Sequence, residues 1–184
     1  MKVITNTFFR RIDVVGEENI SEIGPVIFAG NYPNALMDGW LLTARCGGWP
    51  LDFMVNSKLW NYRLLGRILD SMCAVSIFRR EERDGDVDNT NAFEKLFEVL
   101  EAGNCMGIFP EGVGHTESQL TKLKTGTARI ALSIAARANS KVTIVPCGLN
   151  YIHRDYFRSQ ALIEFAHELD NYQARLDALG LNDY

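Results

Sequence analysis

The sequence predicts an α/β fold: a single layered domain in which helices flank a largely parallel central sheet. Short apolar runs alternate along the chain with amphipathic helical patterns, which is the order that βαβ units produce. The run PVIFAG (residues 25–30) is apolar throughout, as expected of a strand buried on both faces of a sheet. A chain of 184 residues is also long enough to bury a substantial core in one domain.

The predicted strands are apolar runs that end at polar or turn-forming residues. The fourth of them ends at Pro110, because proline lacks the N–H that a central sheet ladder requires. In chain order the predicted strands cover residues 25–30, 51–56, 73–78, 105–110, 141–151 and 161–167.

Helices are predicted where apolar residues recur with helical spacing. In the clearest case, residues 90–104, Thr90 or Asn91 caps the start and Gly103 ends the helix. Its apolar stripe consists of Phe93, Leu96, Phe97 and Leu100. Further helices are predicted over residues 60–72, 124–140 and 171–180.

Composition and charge indicate an ordinary globular protein. The net charge is −4 at pH 7, which gives no reason to expect a nucleic-acid partner. Four scattered cysteines lack the spacing of metal ligands, so we expect reduced thiols in a cytosolic environment, with no disulfide and no metal site. They are Cys46, Cys73, Cys105 and Cys147.

The N-terminal segment lacks the apolar core of a signal peptide, and no apolar run approaches the roughly 20 residues that span a bilayer. Phe8 and Phe9 precede two arginines. They predict an edge segment that packs its aromatic rings on the domain, with a weak interfacial membrane anchor as the alternative. For the three tryptophans, the sequence allows either packing in the core or contact with a membrane. They are Trp40, Trp49 and Trp60.

Four polar segments follow predicted strands and are candidates for one shared cleft. The carboxyl ends of parallel strands meet at the same edge of a sheet, and ligands bind there. The segments are NYPNALMD (31–38), RREERDGD (79–86), EGVGHTES (111–118) and GLNY (148–151).

Several groups near these segments suit an anionic ligand. Gly112 permits unusual backbone angles and close approach of a ligand. Lys122 and Lys124 precede a predicted helix N-terminus, which attracts anions, and Arg79 offers paired donors for phosphate. The alternatives are a glycine-rich loop with solvated lysines and a solvated charge run. The sequence contains no GxGxxG or GxxxxGK[ST] stretch, which disfavours a nucleotide-binding domain.

Together these segments resemble the glycerol-phosphate and lysophosphatidate acyltransferases, which move a fatty acyl group from coenzyme A or acyl carrier protein onto a lipid hydroxyl. The family has four blocks in order: Asn-His-x-x-x-x-Asp, an apolar stretch ending in arginine, Phe-Pro-Glu-Gly, and a Val-Pro strand. The matching stretches are NYPNALMD, AVSIFRR, FPEGVGH and IVPCGLNY. The resemblance covers most of the chain, so residues 1–184 are expected to form one acyltransferase-like domain whose last helix is truncated.

The resemblance implies roles for individual residues. In the family, the histidine of the first block removes the proton from the acceptor hydroxyl, the aspartate orients that histidine, and the hydroxyl attacks the thioester without a covalent enzyme intermediate. Carried over, Asp38 is the orienting carboxylate. Arg79, Glu111 and Gly112 bind the phosphate-bearing headgroup.

The resemblance also implies the partners. The co-substrate is acyl-CoA or acyl-ACP, and no cofactor is needed. The acceptor is a lysophospholipid or glycerol phosphate, so we expect a cytoplasmic protein of phospholipid biosynthesis that associates peripherally with the inner face of the membrane. Asn31 and Lys124, which stand within or beside the matching blocks, are expected to contribute to substrate binding.

Tyr32 departs from the family, because it stands where the first block has histidine. A phenol has a pKa near 10 and an imidazole one near 6.5, so at pH 7 the phenol is a proton donor rather than a base. Three interpretations follow. The chain is a degenerate acyltransferase that binds lipid or acyl donor without efficient turnover, or Tyr32 is an introduced substitution, or another base acts. The best candidate for that base is His115; His153 and His167 are more remote.

Overall fold

A computed structural model describes residues 2–20, 24–46, 51–71, 74–77, 90–114, 119–138 and 142–167 of the chain. Seven strands within these ranges form one sheet. They are β1 (Arg11–Val15), β2 (Val26–Gly30), β3 (Leu51–Asn56), β4 (Val75–Ile77), β5 (Cys105–Ile108), β6 (Thr143–Tyr151) and β7 (Gln160–Phe165). The helices are α1 (Lys2–Phe8), α2 (Leu36–Arg45), α3 (Arg63–Ser71), α4 (Thr90–Glu101) and α5 (Gly126–Ala138).

The sheet is mostly parallel, with strand order β1-β7-β6-β2-β5-β3-β4. All neighbouring pairs are parallel except β6 and β7. The strands from β2 to β6 therefore share one direction and bring their carboxyl ends to one edge of the sheet, called the carboxyl edge below. β7 and β1 run the opposite way. The predicted α/β fold with a largely parallel sheet is confirmed.

Both faces of the sheet are covered by helices. Successive side chains of a strand point to opposite faces, so Phe28 of β2 packs in one core cluster with Leu41 of α2. Its neighbour Ile27 packs on the other face with Leu96 of α4 and Ile134 of α5. This two-sided burial explains why β2 reads as a continuous apolar run.

Several predicted elements match the structure, and some boundaries differ. The helix predicted over residues 90–104 is α4, and Gly103 follows its end with φ of 80°, the left-handed conformation typical of a helix stop. The helix predicted over residues 60–72 begins later, at Arg63, because Ser57–Asn61 form a 3₁₀ turn. The helix predicted over residues 171–180 lies outside the described residues.

Two helices and one strand escaped prediction. α1 and β1 were expected only as an edge segment, and the start of α2 was expected only as a polar turn. Gly39 interrupts the apolar pattern of α2 and has a low helix propensity. In the structure α2 buries Leu41 and Leu42 completely in the core that it shares with Phe28 of the sheet. Tertiary packing therefore supports a helix that local propensity leaves weak.

The N-terminal segment packs on the domain, as the favoured interpretation predicts. The side chain of Phe9 is 1% exposed, and its ring lies 5.6 Å from that of Tyr151. Trp60 donates from Nε1 to Asp70 Oδ1 at 2.8 Å, while Trp49 lies outside the described residues. Cys46, Cys105 and Cys147 are buried, whereas Cys73 is outside the described ranges. Among the described helices, none has the length and apolar content needed to cross a membrane.

A stack of three aromatic rings extends from the core of the sheet to its carboxyl edge. The ring of Tyr32 lies 4.5 Å from that of Phe109, and the ring of Phe109 lies 5.9 Å from that of Phe53, all nearly parallel. Phe53 fits here because its ring passes over Gly107, where an added Cβ would stand 2.0 Å from the ring. The glycine at 107 is thus a packing requirement.

We expect Gly107→Ala to destabilise the protein by about 1–3 kcal/mol, because the new methyl group overpacks a buried ring that has little room to move. Urea unfolding measures the loss. The matched control is Gly126→Ala, where an added Cβ meets no atom within 4 Å; it should change the free energy of unfolding by less than about 1 kcal/mol. Equal effects of the two substitutions would contradict this account.

Candidate active site

The carboxyl edge joins three of the four segments that the sequence marks as candidates. Asn31 follows β2, and its side-chain Oδ1 accepts from the backbone N–H of Leu149 in β6 at 2.6 Å. Its Nδ2 donates to the carbonyl oxygen of the same residue at 2.9 Å. The amide of Asn31 therefore clamps two neighbouring strand ends together, and its expected contact with substrate stays a prediction.

Glu111 links the first and third blocks. It is 4% exposed, and its Oε1 accepts from the backbone N–H of Tyr32 at 2.9 Å. Its Oε2 accepts from both the backbone N–H and the hydroxyl of Thr121, each at 2.9 Å. The tight turn at Gly112, with φ of 73°, follows at once. The first and third blocks therefore lie together in the structure, as the sequence predicts.

Asp38 is the second buried carboxylate of the site, with no exposed surface. It stands in the first turn of α2, where a negative charge is favoured by the helix dipole. Its Oδ2 accepts from the backbone N–H of Asn34 at 2.7 Å, reaching back across the start of the helix. Its Oδ1 accepts from the hydroxyl of Tyr151, the last residue of β6, at 2.6 Å.

Burial raises the pKa of Asp38 to about 7, and the nearby negative charge of Glu111 adds to the rise. The hydrogen bonds from Tyr151 and Asn34 oppose it. The pKa of Tyr151 is raised by burial and by the charge of Asp38. Near neutral pH, Asp38 is thus poised to gain or lose a proton, while Tyr151 keeps its own.

The ring stacking of Tyr32 and the hydrogen bonds of Asp38 involve different partners. Its ring stacks on Phe109, whereas Asp38 is bound by Tyr151 and Asn34. The loop also differs in length: five residues separate Tyr32 from Asp38, while the family block has four. Ala35 in this loop has an unusual backbone conformation for a residue with a side chain, with φ of 46°.

Tyr151 is the site residue that sequence reasoning missed. It belongs to the candidate segment GLNY, but no local pattern distinguishes it from other strand-ending tyrosines. It lines a cavity of about 570 Å³ together with Asn31, His153 and Arg154. Asn34 Nδ2 donates to the carbonyl oxygen of Arg154 at 3.0 Å, which ties the loop after β6 to the loop after β2.

Of three further residues that the sequence assigns to the site, the structure describes only Lys124. His115 and Arg79 lie outside the described residues. Lys124 precedes α5, which begins at Gly126 rather than at 124, and its N–H donates to the carbonyl oxygen of Pro110 at 2.8 Å. Its ammonium group lies close to Gly112, since an added Cβ there would be 2.9 Å from Nζ.

The two remaining histidines are exposed. His153 lines the cavity beside Tyr151, so it stands nearer to the site than expected. His167 follows β7, which runs antiparallel to β6 and pairs Phe165 with Cys147, so the chain at His167 leads away from Tyr151. The expectation that His167 is remote stays a prediction.

We expect Asp38→Asn to stabilise the protein increasingly as the pH rises. In the wild-type protein the raised pKa means that the fold favours the neutral carboxyl of Asp38. The stability that this preference gives the wild type is complete below the unfolded pKa near 3.8 and is lost as the pH rises through about 7. Asparagine stays neutral. Its advantage over aspartate in the free energy of unfolding should grow on the order of 3 kcal/mol between about pH 4.5 and pH 8. Urea unfolding at both pH values measures this, and a constant difference would contradict the burial account.

Curated relatives support a lipid-related family. Glycerol-3-phosphate O-acyltransferase 2 of Saccharomyces cerevisiae is 46% identical over 80 residues, which cover 43% of this chain and 11% of the relative. The 1-acyl-sn-glycerol-3-phosphate acyltransferase of Borreliella burgdorferi is 26% identical over 180 residues, which cover 95% of this chain and 65% of the relative. The chain thus spans about a tenth of the yeast relative and less than two thirds of the bacterial one.

A solved structure shares the fold. The crystal structure of the 1-acyl-sn-glycerophosphate (LPA) acyltransferase PlsC from Thermotoga maritima superposes with a TM-score of 0.65 at 16% sequence identity, covering 99% of this chain and 78% of that one. The family model described as Acyltransferase matches residues 11–150, a range that includes Asp38 and Glu111. The chain belongs to the Acyltransferase family.

Proposed function

We propose that this chain transfers a fatty acyl group from a thioester donor, acyl-CoA or acyl-ACP, to a hydroxyl of glycerol phosphate or a lysophospholipid. The observation that carries the proposal is the hydrogen bond from the N–H of Tyr32 to Glu111. It joins the first and third blocks at the carboxyl edge, beside the buried carboxylate of Asp38. Membership of the Acyltransferase family and the names of the relatives support the same reaction.

The proposed reaction needs a base and a site for the acceptor's phosphate. The acceptor oxygen must lose its proton as it attacks the thioester carbonyl carbon, and the sulfur must gain a proton as the C–S bond breaks. Asp38 has a buried carboxylate with a pKa of about 7, which can accept and return a proton in these two transfers. The ammonium group of Lys124 and the turn at Gly112 form the proposed phosphate subsite. Arg79, which lies outside the described residues, is expected to contribute to it on the family resemblance alone.

Glu111 has a supporting role in this proposal. Its two oxygens already accept hydrogen bonds from Tyr32 and Thr121, so it fixes the loops rather than binding the headgroup directly. This differs from the role that the family resemblance implies, and it follows from the chemistry of a carboxylate, which accepts hydrogen bonds and repels phosphate.

The alternative function is a catalytically inactive module that binds acyl chains, lipid or acyl carrier protein on the same fold. Tyr32 favours this alternative, because the family's basic imidazole is replaced by a phenol. General-base catalysis contributes roughly 10²- to 10⁴-fold to a rate. A protein without a substitute base would bind its ligands and turn them over very slowly.

Peripheral contact with the inner face of the cytoplasmic membrane is part of the proposal. The loop between β6 and β7 exposes Ile152, Tyr156 and Phe157, each by about two thirds of its surface. Arg154 and Arg158 stand in the same loop. Apolar and aromatic side chains beside arginines suit an anionic lipid surface, and this loop borders the cavity that Tyr151 lines.

The acyl-transfer proposal is tested with radiolabelled acyl-CoA and a panel of lysophospholipids and glycerol 3-phosphate. We expect slow turnover by the wild-type chain and a loss of at least about 10²-fold in kcat for Asp38→Asn. Tyr32→His should raise kcat, because imidazole is a better base than phenol at pH 7. Ligand binding without turnover in both the wild type and Tyr32→His would support the inactive module instead.

Membrane contact is tested by flotation with liposomes that contain anionic lipid. The wild-type chain should float with them, and the double variant Ile152→Ser, Phe157→Ser should float several-fold less, because it loses apolar surface at the interface. Leu132→Ser is the matched control, since Leu132 is 63% exposed but lies on α5. Equal flotation of the loop variant and the control would contradict the assignment of this loop.

A further inference from the structure

Tyr151 connects the cavity at the carboxyl edge with the buried carboxylate of Asp38. Tyr151 is one of the residues that line the cavity of about 570 Å³, and its hydroxyl donates to Asp38 Oδ1 at 2.6 Å. The ring of Phe9, itself 1% exposed, packs against the ring of Tyr151 at 5.6 Å. The backbone is fixed as well, because Tyr151 pairs with Ala161 in the sheet. The phenol is therefore held in place by both the ring and the main chain.

We propose that Tyr151 and Asp38 together act as the base of this enzyme, with Tyr151 passing the proton of the acceptor hydroxyl to Asp38. The inference rests on the proposed acyl-transfer function. It assigns the task of the family's histidine to a residue at the end of β6 rather than to Tyr32. In this proposal the acceptor hydroxyl approaches Tyr151 from the cavity, of which Tyr151 is a lining residue.

The proton and electron balance of the step is complete without a further reactant. The acceptor O–H bond breaks as Tyr151 Oη takes its proton, while the proton of Tyr151 moves to Asp38 Oδ1. The acceptor oxygen forms a bond with the thioester carbonyl carbon. When the tetrahedral intermediate collapses, the C–S bond breaks and the proton returns from Asp38 through Tyr151 to the departing sulfur. The products are an ester and a thiol, and Asp38 is ionised again.

Geometry supports Tyr151 in this role, because its hydroxyl makes a short contact with Asp38 and its ring packs against the buried ring of Phe9. Asp38 accepts the proton readily because burial raises its pKa to about 7, near the pH at which a general base is most effective. Within the residues that the structure describes, the charged and titratable groups that act on Asp38 are Tyr151 from β6 and Glu111 from the loop after β5.

Tyr151 acts as a relay rather than as a phenolate. Burial and the neighbouring carboxylate raise the pKa of its hydroxyl, so loss of its proton to solvent is disfavoured at neutral pH. A relay needs no such loss, since the hydroxyl gains one proton as it gives up another. Its oxygen can do this because a hydroxyl both donates and accepts hydrogen bonds.

The test is steady-state acyl transfer from acyl-CoA to lysophosphatidate by the full chain. We expect Tyr151→Phe to lower kcat by about 10²- to 10⁴-fold with little change in KM, since the relay is lost while the ring remains. The control Tyr62→Phe removes a phenolic hydroxyl from a residue that is 67% exposed and does not line the cavity, and it should leave kcat unchanged. Urea unfolding confirms that each variant is folded.

Two further readouts separate a relay from a merely structural hydrogen bond. Wild-type kcat/KM should rise with pH through about 7 as Asp38 ionises. In mixtures of H₂O and D₂O, the wild-type rate plotted against the fraction of D₂O should fall along a curve, because two protons move together. A single moving proton gives a straight line.

Should Tyr151→Phe fail to fold, 3-fluorotyrosine in place of Tyr151 keeps the hydroxyl and should shift the pH dependence of kcat/KM.

The contradicting outcomes are distinct. If Tyr151→Phe keeps a kcat within about threefold of the wild type and the same pH profile, the relay is wrong and the acyl-transfer function stands. If the wild type is inert but Tyr32→His is active, the relay is again wrong and the rest of the site is intact. If neither turns over any acceptor, the proposed function itself fails.

Discussion

Two buried carboxylates organise the carboxyl edge of this sheet. An ionised group removed from water is stable only when donors satisfy its oxygens, and here those donors come from separate segments of the chain. Glu111 accepts from Tyr32 and Thr121, and Asp38 accepts from Asn34 and Tyr151. Meeting the hydrogen-bond requirement of each carboxylate therefore fixes the loops after β2, β5 and β6 in one arrangement.

The parts of the fold that depend on local pattern could be predicted. Two-sided burial makes β2 apolar throughout, and the stop at Gly103 reflects a backbone conformation that glycine adopts easily. α2 escaped prediction because Gly39 weakens its local helical pattern, whereas the burial of Leu41 and Leu42 against the sheet is a tertiary contact that the local sequence does not display. In the site, Asp38 and Glu111 were predicted through matching blocks. The contact of Asp38 with Tyr151 spans 113 residues of sequence, and no periodicity encodes a pairing at that distance.

Tyr32 stands where the resemblance gives histidine, in a loop with one residue more than the family block. In this loop Ala35 has a positive φ, and the tyrosine ring stacks on Phe109. Stacking of flat rings about 4.5 Å apart is favourable and stabilises Tyr32 in a position suited to its aromatic character. Asp38 binds a different phenol, one that a strand rather than a loop holds in place. The substitution and the partner of the aspartate therefore belong to one consistent local structure.

The identity of the partner decides how basic Asp38 is. An arginine or lysine in contact with the carboxylate would favour its ionised form and lower its pKa, which would leave a weak base at neutral pH. A phenol satisfies the same oxygen with a neutral donor, so burial remains the dominant influence and the pKa stays near 7. The charge of Glu111 acts in the same direction. Ionisation of Asp38 therefore lowers the stability of the fold. The same unfavourable burial of the negative charge is what makes the carboxylate a stronger base.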